Sequence, residues 1–295
     1  MAQREGKTRT DKYSKSPRNS QGGNFSKFSK KPSPKARTFG KKAPIKVENN
    51  TGTLNIPIDG VMRLNKYIAH AGVCSRREAD KLISTGVITV NHKIVTELGF
   101  KVEQSDKVHM DGQLLVAEKL QYILLNKPKG FVTTTDDPQE RKTVMDLIAK
   151  ASTERVYPVG RLDMATTGLL LFTNDGDLAK KLTHPKHRVR KVYHVYLDKA
   201  VTKNDMTKIV QGFDLEDGPI NVDKISYVDG DRTKKEIGIQ IHSGRNRIVR
   251  RIFEHLDYEV TKLDRVVFGG LTKKDLPRGK WKKLSSSEID FLKMI

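Results

Sequence analysis

Cysteine and long apolar runs are scarce in this 295-residue chain, and each scarcity excludes a class of protein. Cys74 is the single cysteine, so no disulfide closes within the chain and no thiolate cluster can hold a metal. No segment approaches the roughly 18 consecutive apolar residues of a membrane-spanning helix. The amino terminus lacks the apolar core of a secretion signal, and a cytoplasmic protein is the expectation. Phosphate-cradling G-x-x-x-x-G-K-[ST], dinucleotide-binding G-x-G-x-x-G and nucleophile-elbow G-x-S-x-G motifs are absent. His184 and His187, in "HPKH", have no acid or cysteine cluster beside them to complete a metal site. Chemistry without cofactor or metal is expected.

Acid falls well short of base. Fifty-six Lys and Arg stand against 35 Asp and Glu, a net charge of +21. Residues 1–50 carry 14 bases and 3 acids, so about half of the excess lies in the first sixth of the chain. A chain so basic in both parts fits a polyanionic partner, and nucleic acid is the first choice. Residues 1–60 alternate Lys, Arg, Ser, Gly, Pro and Asn with isolated Phe25, Phe28 and Phe39. Such a segment buries too little apolar surface to offset its ordering entropy, and a disordered basic tail is expected.

Patterning changes at Met62. "RLNKYIAHAG" sets Leu64, Tyr67, Ile68 and Ala71 on one helical face and stops at Gly72. "SRREADKLISTG" opens with Ser75 and Glu78 at capping-box spacing and ends at Gly86. "VITVNHKIV" reads as two short strands about an Asn91-His92 turn, and Asp111-Gly112 signals a further hairpin. This order resembles the S4-type RNA-binding domain. The resemblance implies RNA-backbone contacts by Arg63, Lys66, Arg76, Arg77 and Lys81. Cys74 reads as a small packing residue.

A second domain follows a short join at 115–119. "YILLNKPKG" reads as a buried strand, "FVTTTDDPQERKTVMDLI" as strand, loop and helix, and "LLLF" (169–172) as a strand. "DGDLAKKLTH" reads as a helix, "KVYHVYLD" as an alternating strand, 203–211 as a helix, and "SSSEIDFLKMI" as a capped final helix. Strands and helices without a regular βαβ rhythm suggest an α+β fold on a largely antiparallel mixed sheet. The expected organisation is a basic tail over 1–60, a small α/β RNA-binding module over 61–117, and a catalytic domain over 118–295.

Within "VGRLDMATTGLLLF", Asp163 is a lone carboxylate at the mouth of the most apolar segment. It is either a turn residue or a catalyst, and a carboxylate in a dry site needs a cation to stay ionised. "SGRNRIVRRIFEHL" offers such cations. Helical spacing turns Ile248, Val249, Ile252, Phe253 and Leu256 toward a core and Arg247, Arg250, Arg251 and Glu254 toward another face. Spacing alone does not choose the partner.

"GRLDMATTGLLLFTNDG", with "NKPKGFVTTTDDP" before it and "KVYHVYL" and "SGRNRIVRRIF" after it, resembles the ribosomal RNA pseudouridine synthases that carry an S4-type domain ahead of the catalytic domain, the RsuA/RluB group, and more closely its large-subunit branch. The resemblance spans about 62–295. It implies that Asp163 is the catalytic aspartate and that Tyr193 packs on the target base. Arg250 is implied to pair with the aspartate, Arg161 to hold the flipped nucleotide, and Val249 to line the uracil pocket. Arg245 and Arg247 fall among the implied substrate-binding residues. Ile248 departs from the group, which usually has Gln or Glu there. The implied partner is ribosomal RNA, with a monomer as the default. The competing reading, from another functional class, is a non-enzymatic RNA-binding or ribosome-assembly factor on a synthase scaffold.

Overall fold

The computed structural model describes residues 60–295, so the expectation of a disordered tail lies outside the described residues. The first module opens with β1 (Val61–Arg63), α1 (Leu64–His70) and α2 (Arg76–Ser84), and continues through β2 (Ile88–Val90), β3 (Lys93–Ile94), β4 (Lys101–Glu103), β5 (Val108–Met110) and β6 (Gln113–Leu114). The capping box forms as its spacing predicts: Ser75 accepts from Glu78 N, and the Glu78 carboxylate accepts from Ser75 N at 2.7 Å. Asn91 and His92 both take positive φ, which turns β2 into β3. Leu64, Ile68, Ile83, Ile88, Val102 and Val108 are fully buried in a core of this module's own.

From residue 122 onward the chain forms β7 (Tyr122–Lys127), α3 (Val144–Ile148), β8 (Tyr157–Pro158), β9 (Thr167–Thr173), α4 (Gly176–Thr183) and β10 (Lys191–Leu197). It continues with α5 (Lys203–Gln211), β11 (Phe213–Leu215), β12 (Gly218–Ile220), β13 (Lys224–Tyr227), β14 (Glu236–Ile241) and α6 (Ile248–Glu254). β15 (Val260–Phe268), β16 (Leu271–Thr272), β17 (Trp281–Lys283) and α7 (Ser286–Met294) complete it. The large sheet runs β13-β14-β10-β15-β9-β7-β17, with β16 on β15 and β8 on β9. Every pairing in it is antiparallel except β15 with β9.

Both faces of the central strands are covered. On β9, Leu170 and Phe172 enter one core and Leu169 and Leu171 the other; Ile123 and Leu125 part from Leu124 in the same way on β7. That double burial is why these strands read as unbroken apolar runs.

The short strands β1, β4, β8, β16 and β17 go beyond the sequence reading, and two further elements differ from it near the site. The strand expected at Phe131 is reduced to an isolated bridge between Val132 and Thr143, because that stretch finds no neighbour to extend along. β15, a nine-residue strand between β9 and β10, was not anticipated. Its interior holds Asp264 and Arg265, which hide its strand character. Asp264 is satisfied from the carboxyl-terminal segment by Arg278 at 3.0 Å and by Lys273.

Candidate active site

Asp163 lies in the loop between β8 and β9, and the preceding motif holds that loop in place. Thr133 Oγ1 donates to Leu162 O at 2.7 Å, and Gly130 N donates to Met164 O at 2.9 Å. Lys127, at the end of β7, is fully buried. Its Nζ donates to the carbonyls of Asp163 (3.0 Å) and Thr166 (2.8 Å), with Pro128 O and Met164 O at 3.2 and 3.4 Å. Burial pushes the ammonium down to about 8; Asp163 opposes that fall and Arg278 adds to it. The Asp163 carboxylate is half-buried and accepts no hydrogen bond among the described residues.

Three adjacent strands converge on this loop. Tyr193 on β10 stands opposite Arg265 on β15, and Arg265 pairs with Gly168 on β9. Gly168 has φ +107°, and a Cβ there would overlap the carbonyl oxygen of Arg265. Only glycine permits this approach of β15 to β9. The strands and the loop before α6 enclose an open pocket of about 150 Å³. Asp163, Tyr193, Arg161, Val249, Arg245 and Arg247 all line it, together with Ile248, Lys191 and Arg265. One carboxylate therefore faces five cations.

A second buried lysine fixes the opposite wall. Lys191 Nζ donates to His242 O at 2.8 Å and Ser243 O at 3.4 Å, tethering the loop that leads to Arg245 and Arg247. Burial, and then Arg265, push it down to about 8 as well. Arg245 Nη1 donates to Asp217 O and Gly218 O at 2.9 and 3.1 Å. Arg247 caps α6 in the left-handed region (φ 46°) and pairs with Glu254 at 3.0 Å.

Arg250 differs from its expected placement in two ways. It is buried within α6's core-facing surface rather than turned away from it, because Nη1 donates to Val260 O at 2.7 Å. It does not line the pocket and forms no ion pair with Asp163 among the described residues. It still lies within the carboxylate's electrostatic reach: burial and Arg247 lower its guanidinium, and Asp163 raises it.

Six buried side-chain polar atoms in the described residues lack a hydrogen-bond partner. Five belong to Thr166, Arg245, Arg250 and Arg265, at or directly behind this pocket. Each such atom costs about 1–3 kcal/mol, and their concentration in one place marks a site arranged for something other than stability.

The implied RNA contacts separate into two groups. Arg63, Lys66 and Arg76 line a cleft facing α4, where Lys66 pairs with Asp177 at 2.8 Å. Arg77 and Lys81 project from α2 into solvent. Lys127, Lys191 and Arg265 were not picked out from the sequence. The available signal was a lysine closing the unbroken run "YILLN" and another at a core-facing position of an alternating strand.

Comparison with known proteins decides the family. Residues 121–255 match the RNA pseudouridylate synthase model, and residues 62–108 match the S4 domain. The chain is 42% identical over 235 residues to "Ribosomal large subunit pseudouridine synthase B" of Bacillus subtilis, covering 79% of this chain and 96% of that protein. The chain belongs to the RNA pseudouridine synthase family. The synthase is also 38% identical to the protein of the same name from Yersinia pestis, over 78% of this chain and 75% of that one. A crystal structure of a pseudouridylate synthase, 31% identical, superposes with a TM-score of 0.56 over 78% of this chain and 99% of the other. The synthase is thus an isomerase with an S4 domain, on a mixed sheet that is largely antiparallel.

Proposed function

We propose that the synthase converts a specific uridine of large-subunit ribosomal RNA to pseudouridine, with Asp163 as the catalytic carboxylate acting on a flipped-out nucleotide. The observation that carries this reading is the half-buried Asp163, whose carboxylate accepts no hydrogen bond among the described residues, in a pocket with Tyr193 and a ring of cations. The names of the Bacillus subtilis and Yersinia pestis relatives support the large subunit as the source of the RNA.

The reaction breaks the bond from ribose C1′ to uracil N1, turns the base, and joins C1′ to C5. The C5 proton leaves and N1 ends protonated, so atoms and electrons balance without oxidant, nucleotide or metal. A carboxylate that attacks the nucleoside and one that takes a sugar proton meet the same requirement: it must be ionised and close. Arg250, buried behind Asp163, supplies positive potential in a region of low dielectric. Tyr193 offers a ring against which the extruded base packs, recovering part of the few kcal/mol that unstacking costs. Arg161, Arg245 and Arg247 hold the nucleotide's phosphates, while Val249 and Ile248 exclude water from the base. Mapping pseudouridines across ribosomal RNA from cells lacking the synthase tests the substrate. One large-subunit site should revert to uridine and return on complementation; an unchanged map contradicts the reading.

A further inference from the structure

A second cavity, about 580 Å³, lies apart from the Asp163 pocket in the cleft between the S4 domain and the catalytic sheet. Arg63, Lys66 and Arg76 stand on one side of it, and Arg155 and Lys180 on the other. Asp177, in the first turn of α4 and the one lining acid among the described residues, is paired with Lys66 at the rim. A brace fixes the two walls: Glu118 N donates to His70 O at 3.0 Å, and the Glu118 carboxylate accepts from Arg155 N at 3.0 Å. Cleft and catalytic pocket share their supports. Along α4, Lys180 faces the cleft while Leu182 and Thr183 line the pocket; Tyr157 and Gly160 divide in the same way along the chain.

We propose that this cleft is a groove for the RNA phosphate backbone, in which Arg155 and Lys180 of the catalytic domain act with Arg63, Lys66 and Arg76, and Asp177 holds Lys66 until a phosphate displaces it. The proposal rests on RNA as the substrate. Five cations against one acid select a polyanion. The Lys66–Asp177 pair is open to solvent on its Asp177 side, at 58% side-chain accessibility against 21% for Lys66, and ion pairs screened by water contribute little. Exchanging it for a phosphate contact therefore costs little, and the strand bound in the cleft continues toward Asp163.

The test is the affinity of the full-length synthase for ribosomal RNA extracted from cells lacking it, across a salt series. Arg155→Gln with Lys180→Gln should weaken binding about tenfold and lower the salt slope by about 1 per lost phosphate contact. The charge-retaining pair Arg155→Lys with Lys180→Arg should keep affinity and slope, which separates lost charge from lost folding. Asp177→Asn should tighten binding about three- to fivefold, because it removes both a competitor for Lys66 and a repulsive charge. Unchanged affinity and slope in the double Gln variant overturn the groove. Weaker binding by Asp177→Asn overturns the displacement and makes the pair a simple domain brace. Failure of the wild type to form pseudouridine in this RNA, with the cleft effects intact, would count against the substrate reading alone; failure to bind the RNA at all overturns both.

Discussion

Lys127 Nζ donates a 3.0 Å hydrogen bond to the main-chain carbonyl of Asp163, from a side chain with no exposure to solvent. The bond joins the end of β7 to the loop that presents the carboxylate, and Thr166 O shares the same ammonium at 2.8 Å. A cation held by carbonyl dipoles rather than by an acid leaves the Asp163 side chain free for substrate. Position, and not charge neutralisation, is its contribution.

Replacing Lys127 by Met should therefore lower kcat far more than it raises KM. The lost donors leave buried carbonyls unpaired at about 1–3 kcal/mol each, and the loop relaxes to recover them. A loss of roughly a hundredfold or more in kcat, with RNA affinity within about threefold, is the expected split. Steady-state kinetics on unmodified ribosomal RNA measure it.

The same lysine sets a pH dependence of stability. Its folded value of about 8 lies below the ordinary 10.5, so between these limits the unfolded chain holds more protons than the folded one. Stability then rises with pH through that window and is lost as pH falls back through 8, by at most about 3 kcal/mol for the one group. Lys191, lowered to about 8 as well, adds a second contribution of the same sign. Urea denaturation from pH 7.5 to 10 should show a shallower rise for Lys127→Met than for the wild type.

Much of the architecture is local in origin and was legible in the sequence. The boxes at Ser75/Glu78 and Ser285/Glu288 form because both partners lie within one helical turn. The Asp111-Gly112 hairpin and the alternation along β10 depend on equally short-range rules. β15 was not legible because its charged interior is satisfied from 9 and 14 residues downstream, by Lys273 and Arg278. Helical spacing turns Arg250 the wrong way for a related reason. A helical wheel counts a guanidinium as a surface group, and only the fold reveals Val260 O as its buried acceptor. Of the residues that shape the site, those to which the resemblance assigns a role are found, while Lys127 and Lys191, although they lie within the same motifs, read as ordinary strand ends.

Gly168→Ala should be among the most damaging single-methyl additions in the chain. The new Cβ would overlap the backbone of Arg265 at a φ of +107°, separating β9 from β15 where Gly168 and Arg265 pair, beside the pocket that Asp163 lines. A loss of about 3 kcal/mol or more in unfolding free energy is expected, with activity falling in parallel. Chemical denaturation provides the check, with Gly130→Ala as a comparison, since nothing lies within 4 Å of a Cβ there although its φ is also positive.

Arg250 stands behind the pocket rather than within it. Arg250→Gln should leave KM within about threefold while kcat drops by about a hundredfold, because a buried cation near the reacting carboxylate is lost and the Val260 carbonyl is imperfectly repaired. An effect confined to KM would place Arg250 in binding instead. Single-turnover rates at saturating enzyme separate the two.

The central claim is that Asp163 performs the chemistry, and the reaction releases the C5 hydrogen of the target uridine. Tritium release from ribosomal RNA labelled at uridine C5 and prepared from cells lacking the synthase measures that step. Asp163→Asn should reduce release roughly ten-thousandfold or more, about 5 kcal/mol of transition-state stabilisation, while binding the RNA within about threefold of the wild type. Tritium release by Asp163→Asn within tenfold of the wild-type rate would contradict the account.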